Sequence, residues 1–419
     1  MHGGNDACGA RAVARCTELG RAPYSQMEGG LFRPYLGPSY RATCERLAQW
    51  MQDAGMATRM DAAGNLIGRY GGQSPDAPVV LIGSHIDSVR DGGFFDGMLG
   101  VVLGIEAVAH FARQGKRFPF ALEVIGFGDE EGSRFPRGML TSHAVAGVLE
   151  SPDPDMTDCM GTATLATALR EYGLDAKRMH MASRRDDPVV AYVEAHIEQG
   201  PVLEAEGHAL GVVSAIAAQH RYRVTLCGMA GHAGTVAMKL RRDALAGAAE
   251  IILAVERVGR AGGDGLVATV GSLEVAPGAA NVVPGHVAFT IDVRAGTNAT
   301  RDDAAREILH IAHQVAKRRG LGMDVVLQQD LDATPCGPRL TDLMKHAVRA
   351  VTHTPARLLV SGAGHDAMVM AHLAPVSMLF IRCAGGISHN PAESVTDADA
   401  GLALRAMTTF IGLFERRFG

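Results

Sequence analysis

Imidazoles and carboxylates in this sequence collect just past runs of apolar, β-branched residues. His85 and Asp87 close VVLIGSHID (79 to 87), Glu130 and Glu131 follow ALEVIGFG, and His196 and Glu198 close VVAYVEAHIE (189 to 198). Asp96 sits in the Gly-rich DGGFFDG segment ahead of an apolar helical run, and His389 sits in GGISHNPAE beyond a fourth apolar run, PVSMLFIRC (375 to 383). Nitrogen and oxygen donors without thiolates suit zinc, manganese, cobalt or nickel, and a short carboxylate such as Asp96 can bridge two cations. The chemistry expected is therefore metal-assisted hydrolysis at a pair of divalent ions. Asp87, two residues after His85 on the same strand face, is expected to accept the second imidazole N–H and fix the tautomer. Of Glu130 and Glu131, one can ligate while its neighbour takes a proton from water.

The runs that position these groups read as nearly continuous apolar strands of a parallel sheet. Between the first two lies GMLGVVLGIEAVAHFARQG (97 to 115), a helix, which completes a βαβ unit. In an open parallel sheet the carboxyl ends of the strands form the ligand crevice, so four strand ends offer their side chains to one place. Near the N-terminus, Ser39 is expected to cap a helix over YRATCERLAQWMQDAG that ends at Gly55. Between 217 and 329 the texture changes to alternating strands (221 to 228, 266 to 276, 286 to 295 and 323 to 328) and two helices (241 to 259 and 301 to 318). The expected fold is α/β: a mainly parallel, doubly wound catalytic domain (1–216 and 330–419) with an inserted α+β domain (217–329).

The motifs GSHIDSV (83 to 89), GGFFDGMLGV (92 to 101), DEEGSRF (129 to 135), HIEQGPVLE (196 to 204), GHAGT (231 to 235), NVVPG (281 to 285), DVR (292 to 294), GAGHDA (362 to 367) and ISHNPAE (387 to 393) resemble the hydantoinase/carbamoylase branch of the dinuclear metal amidohydrolases, relatives of aminoacylases and dizinc carboxypeptidases. The resemblance runs from about Arg21 to the C-terminus. It implies His85 and His196 on one divalent metal, Glu131 and His389 on the other, Asp96 bridging, and Glu130 as general base. It further implies that the inserted domain forms a homodimer, that His232 stabilises the oxyanion, and that Gln199, Asn281 and Arg294 bind the substrate. His365, in SGAGHDA, is given a substrate-side role. Relatives commonly carry proline where this chain has Ala237. The reaction implied is hydrolysis of a ureido C–N bond in a small carboxylate-bearing substrate. The segments DEEGSRF, GHAGTVAM and GGLFRPYLGPSYRAT resemble allantoate amidohydrolases, and N-carbamoyl-L-amino acids or 3-ureidopropionate are the alternative substrates. A non-catalytic metal-containing binding protein is the reading from another class.

Composition narrows the field independently. A net charge of -5 without a basic run excludes a phosphate-neutralising surface, so nucleic acid is not an expected partner. The seven scattered cysteines form no C-x-x-C pair, and the first twenty residues lack an apolar core, so a cytoplasmic location is expected. No stretch reaches the length of a membrane span. Gly126, Gly128 and Gly132 have the wrong spacing for a dinucleotide fingerprint, and neither a G-x-S-x-G elbow nor an H-E-x-x-H helix is present. Most of the 17 histidines, among them His110, His313 and His372, are expected to be structural.

Overall fold

The computed structural model describes residues 3–149 and 153–417, and its contacts divide the chain into two units. The first comprises Met1–Ser214, Cys336–Leu359 and His365–Gly419; the second comprises Ala215–Pro335 and Val360–Gly364.

In the first unit, four strands run parallel in the order Ala121–Phe127, Val79–His85, Val189–Ile197, Val376–Ile381. Every residue of Val79–His85 and Ala121–Phe127 is buried, as expected for strands covered on both faces. Antiparallel strands flank this parallel centre. Leu66–Tyr70 and Ala57–Met60 extend it on one side, and Leu210–Ile216 pairs with Val376–Ile381 on the other. These short flanking strands carry little periodicity and were not among the sequence expectations.

The helix Met98–Arg113 packs across three of the parallel strands, and Gly3–Leu19 and Asp397–Glu415 pack on that helix in turn. Glu106, the acid that interrupts the apolar run, is buried beneath Arg11 and Arg15, each with a nitrogen 2.7 Å from Oε1. Pairing is what makes burial of that charge tolerable. The helix expected after Ser39 spans Pro38–Asp53, but Ser39 does not cap it. Gly37 occupies the cap and Pro38 the first turn, where the missing proline N–H costs nothing, and Ser39 is buried inside the helix.

The second unit is an antiparallel sheet in the order Leu273–Ala276, His286–Ala295, Ala218–Cys227, Gly322–Leu331, with Leu266–Thr269 also pairing His286–Ala295. The run read as one strand over 266 to 276 is thus two. Helices Ala244–Ala261 and Asn298–Arg319 enclose a core with Val224, Leu226, Phe289 and Ile291. Both starts are set by caps: Asp243 accepts the Ala246 N–H at 3.0 Å, and Thr297 accepts the Thr300 N–H at 3.2 Å. Among the described residues, no helix is long and apolar enough to cross a membrane, and Cys16, Cys44, Cys159, Cys227, Cys336 and Cys383 form no disulfide.

Candidate metal centre

The first unit brings the strand ends together. His85 and His196 end adjacent parallel strands, and their Nε2 atoms lie 3.5 Å apart. Asp96, on the turn into Met98–Arg113, puts Oδ1 at 3.5 Å from His85 Nε2 and 3.1 Å from His196 Nε2. Its Oδ2 lies 3.2 Å from Nε2 of His389, which is also 3.2 Å from Glu131 Oε1. Two three-residue groups, His85–Asp96–His196 and Asp96–Glu131–His389, therefore share the Asp96 carboxylate. His85, Glu130 and Glu131 form a further cluster, with one donor atom from each within 4.8 Å of the others.

Backbone strain concentrates on the loops that carry these groups. Asp129, Gln199 and His389 have φ of 55°, 57° and 53°, a left-handed conformation that side-chain-bearing residues adopt only where the surroundings hold them. Gly97 has φ 64° and ψ −52°, and the Met98 N–H donates to the Asp96 carbonyl across it at 2.6 Å, a tight three-residue turn. A Cβ on Gly97 would lie 2.4 to 2.5 Å from the His85 ring atoms, so glycine is what lets Asp96 and His85 approach.

The hydrogen bonds fix the ring tautomers. His85 Nδ1 lies 3.2 Å from the Asp87 carbonyl oxygen and His196 Nδ1 lies 2.9 Å from the Ile197 carbonyl oxygen. A carbonyl only accepts, so both Nδ1 atoms carry hydrogen, and each ring in its neutral form turns an Nε2 lone pair toward Asp96 Oδ1. That oxygen is buried without a hydrogen-bond donor. Lone pairs converging on a carboxylate oxygen repel unless positive charge lies between them. Burial alone would strip both imidazoles of protons, but Asp96 overrides it and raises their proton affinity, that of His85 well above the ordinary range. Burial opposes the Asp96 charge, yet the imidazoles of His196, His389 and His85 set around its two oxygens hold its pKa well below the carboxylate range. Tetrahedral ligands at about 2.1 Å from an ion stand roughly 3.4 Å apart, close to the 3.1 to 3.5 Å spacings here. The donor set fits divalent cations.

Glu130 is 9% exposed, and burial, reinforced by Glu131, raises its pKa well above that of an ordinary carboxyl. It has the high proton affinity a general base needs.

Asp87 acts differently from the sequence expectation. Its carboxylate lies 3.8 Å from His85 Nδ1, beyond hydrogen-bond reach, and instead accepts the backbone N–H groups of Glu130 at 3.2 Å and Glu131 at 3.4 Å. The backbone carbonyl of Asp87 takes the imidazole, and its side chain shapes the loop that presents the two glutamates. Glu198 caps a short helix through the Val202 and Leu203 amides.

Gln199, expected on the substrate, donates Nε2 to Asp96 Oδ2 at 3.1 Å and to Ser388 Oγ at 3.3 Å, which leaves Oε1 buried without a donor. His365 is buried with its ring centroid 4.4 Å from that of His196; burial, with the His196 charge, holds its pKa well below the usual imidazole range. In the second unit, His232 and Asn281 are neighbours. Val282 pairs with His232, and the Asn281 carbonyl accepts the Ala233 N–H at 2.9 Å. His232 Nδ1 accepts the Gly234 N–H at 3.1 Å, so its Nε2–H is the outward donor. Arg294 is already engaged by Asp292, at 2.8 and 3.3 Å, and by the Gly362 carbonyl at 2.6 Å.

Sequence reasoning overlooked Glu194, Ser388 and Glu393. Glu194, two residues before His196, accepts from Ser84 Oγ, the Tyr192 hydroxyl and the Ala367 N–H at 2.8, 3.1 and 2.9 Å. Its place on the His196 face of an apolar strand was a usable signal. Ser388 and Glu393 stood inside ISHNPAE, overshadowed by His389.

Comparisons with known proteins show the family. Residues 81–412 match the model of Peptidase family M20/M25/M40. Allantoate deiminase of Arabidopsis thaliana is 39% identical, over 96% of this chain and 81% of that protein. N-carbamoyl-L-amino acid amidohydrolase of Geobacillus stearothermophilus is 40% identical, over 95% of this chain and 97% of that one. The crystal structure of a hydantoinase/carbamoylase family amidase from Burkholderia ambifaria is 34% identical with a TM-score of 0.88, covering 96% of both chains. The chain belongs to peptidase family M20/M25/M40, among its hydantoinase/carbamoylase amidohydrolases.

Proposed function

We propose that this protein hydrolyses the ureido C–N bond of a small carboxylate-bearing substrate at a pair of divalent cations held by His85, Asp96, Glu131, His196 and His389. The observation that carries this is the sharing of Asp96 between two ligand groups while the buried Glu130 stays next to both glutamate and imidazole ligands. Bound divalent ions supply Lewis acidity to the carbonyl and to water. Zinc or manganese suits the donors, as do cobalt and nickel. Glu130 takes the proton of the attacking water and returns it to the leaving nitrogen, a role that its raised proton affinity matches. Gln199 Oε1, a buried acceptor awaiting a donor, receives a substrate N–H. His232 donates Nε2–H to the carbonyl oxygen as charge develops. Asn281 and Arg294 take the substrate carboxylate, Arg294 through a guanidinium that Asp292 orients.

Allantoate is the first substrate we assign, with ammonia and carbon dioxide released. N-carbamoyl-L-amino acids are the second, supported by 40% identity to the Geobacillus protein against 39% to the Arabidopsis one. We assign the second unit to a homodimer contact, supported by exposed Leu253, Val267, Leu273 and Leu327, and the protein to the cytoplasm, consistent with Cys16, Cys44, Cys159, Cys227, Cys336 and Cys383 forming no disulfide. The test is ammonia release by metal-loaded protein from allantoate, N-carbamoyl-L-amino acids and 3-ureidopropionate, alongside Glu130→Gln. Wild type releases ammonia, and Glu130→Gln abolishes release while keeping its metal. Metal uptake without ammonia from any of these substrates sinks the proposal in favour of a metal-containing binding protein.

A further inference from the structure

Between the loop that carries Asp96 and the loop that carries His389 lies an acid to which neither the metal nor the proton chemistry gives a role. Glu393 is 5% exposed, and its Oε1 accepts two consecutive backbone amides, Phe95 N–H at 2.8 Å and Asp96 N–H at 3.0 Å. Its Oε2 lies 3.2 Å from Ser388 Oγ, which is itself 2.8 Å from Asp96 Oδ2. One carboxylate therefore holds the bridging residue by its backbone, while Ser388, with a single hydroxyl proton, stands between the two acids and lies closer to Asp96 Oδ2.

The chain is built around that grip. Gly93 is the second glycine of the DGGFFDG turn, and a Cβ there would lie 2.1 to 2.4 Å from the Glu393 carboxylate and its Cβ. The turn has room for this acid and none for a side chain of its own. The Glu393 N–H also donates to the Asn390 carbonyl at 3.0 Å, which fixes the acid relative to His389, a residue held at φ 53°. Without an acceptor the two amides would be left buried and unpaired, and Asp96 would lose the fixed direction that lets its two oxygens face separate groups.

We propose that Glu393 is a positioning residue that aims the Asp96 carboxylate and thereby sets the metal affinity of the centre. This rests on the metal reading above. A structural acid that merely satisfies two amides would stabilise the fold and leave metal affinity unchanged. An acid that aims the bridging ligand changes metal affinity in protein that is already folded.

The experiment measures Zn²⁺ binding to metal-depleted full-length protein by competition with a chromophoric chelator, with circular dichroism as the control for folding. Glu393→Ala weakens Zn²⁺ binding by about 10- to 100-fold, the usual cost of losing a group that orients a ligand. Glu393→Gln stays within about threefold of wild type, because its amide oxygen still accepts both backbone N–H groups and its amide nitrogen reaches Ser388. Gly93→Ala, which displaces the carboxylate without removing it, reproduces the loss. Folded Glu393→Ala with wild-type Zn²⁺ affinity overturns the inference, whatever its melting temperature. Should Glu393→Ala not fold, Gly93→Ala with unchanged affinity overturns it equally. Glu393→Gln as weak as Glu393→Ala also overturns it, since charge rather than the amide grip would then be at work. Wild-type protein that takes up no Zn²⁺ overturns the metal reading itself, a separate result.

Discussion

Gly97→Ala tests how closely the backbone is fitted to the metal ligands. Gly97 sits at φ 64° and ψ −52°, where alanine carries about 1 to 3 kcal/mol of backbone strain. The added Cβ would stand 2.4 to 2.5 Å from Nε2, Cδ2 and Cε1 of His85, against an ordinary contact of 3.4 Å or more, so ring or turn must yield by roughly 1 Å. His85 is 2% exposed and has little room to retreat. Metal–ligand distances tolerate only about ±0.2 Å, so a shift of this size amounts to losing one ligand from the His85–Asp96–His196 group. The expected loss there is about 100-fold in metal affinity, equivalent to about 2.7 kcal/mol, while Glu131 and His389 keep their positions. On the proposed two-ion reading, bound metal per chain after dialysis, measured by mass spectrometry, should fall from two ions toward one. Urea unfolding of the metal-free protein should separately report the backbone strain. A Gly97→Ala protein that keeps two ions with wild-type affinity would refute the claim that this turn is shaped around His85.

Three further outcomes follow from the structure. Hydrogen bonds to Asp96 and then Glu131 raise the His389 pKa to about 10 in the metal-free protein. A raised imidazole pKa contributes stability that is fully present below about pH 6.5 and lost as pH rises through 10, so metal-free protein should lose stability to urea across that window. Metal must displace that proton, so Zn²⁺ affinity should climb over the same range by up to about tenfold per pH unit, and an affinity that falls or stays flat would contradict the assignment of His389 as a ligand. Ala237→Pro addresses the loop of His232: Ala237 has φ −60° and ψ 142°, inside the range of proline, so the substitution should raise stability by about 0.4 to 1 kcal/mol in chemical denaturation. Destabilisation instead would mean that the Ala237 N–H or the preceding residue is needed as it stands.

The parts of the fold that could be read from the chain are those in which a short window carries its own periodicity. The parallel strands Val79–His85, Ala121–Phe127, Val189–Ile197 and Val376–Ile381 are nearly unbroken apolar runs, and the strand His286–Ala295 alternates cleanly. The flanking strands Ala57–Met60 and Leu66–Tyr70 are too short to show a period; Leu66–Tyr70 forms on the edge that Ala121–Phe127 offers, and Ala57–Met60 on the edge of Leu66–Tyr70. Ser39 looked like a helix cap by its type, but Gly37 caps the helix and Pro38 starts it, two residues earlier. The site divides in the same way. Because parallel strands deliver their carboxyl ends to one edge, the types and order of His85, Glu130, Glu131, His196 and His389 already pointed to a set that could bind metal and move a proton. Side-chain partners did not follow from order, since they depend on loops whose conformations are set by residues far along the chain. Asp87 turns from its imidazole to two backbone amides, Gln199 turns to Asp96, Arg294 turns to Asp292, and Glu393 reaches across nearly three hundred residues to grip Phe95 and Asp96. The sequence by itself determined which groups could do chemistry and which edge would gather them. Only the tertiary structure decided how each is aimed, because aim is set by long-range hydrogen bonds and left-handed turns that no local pattern encodes.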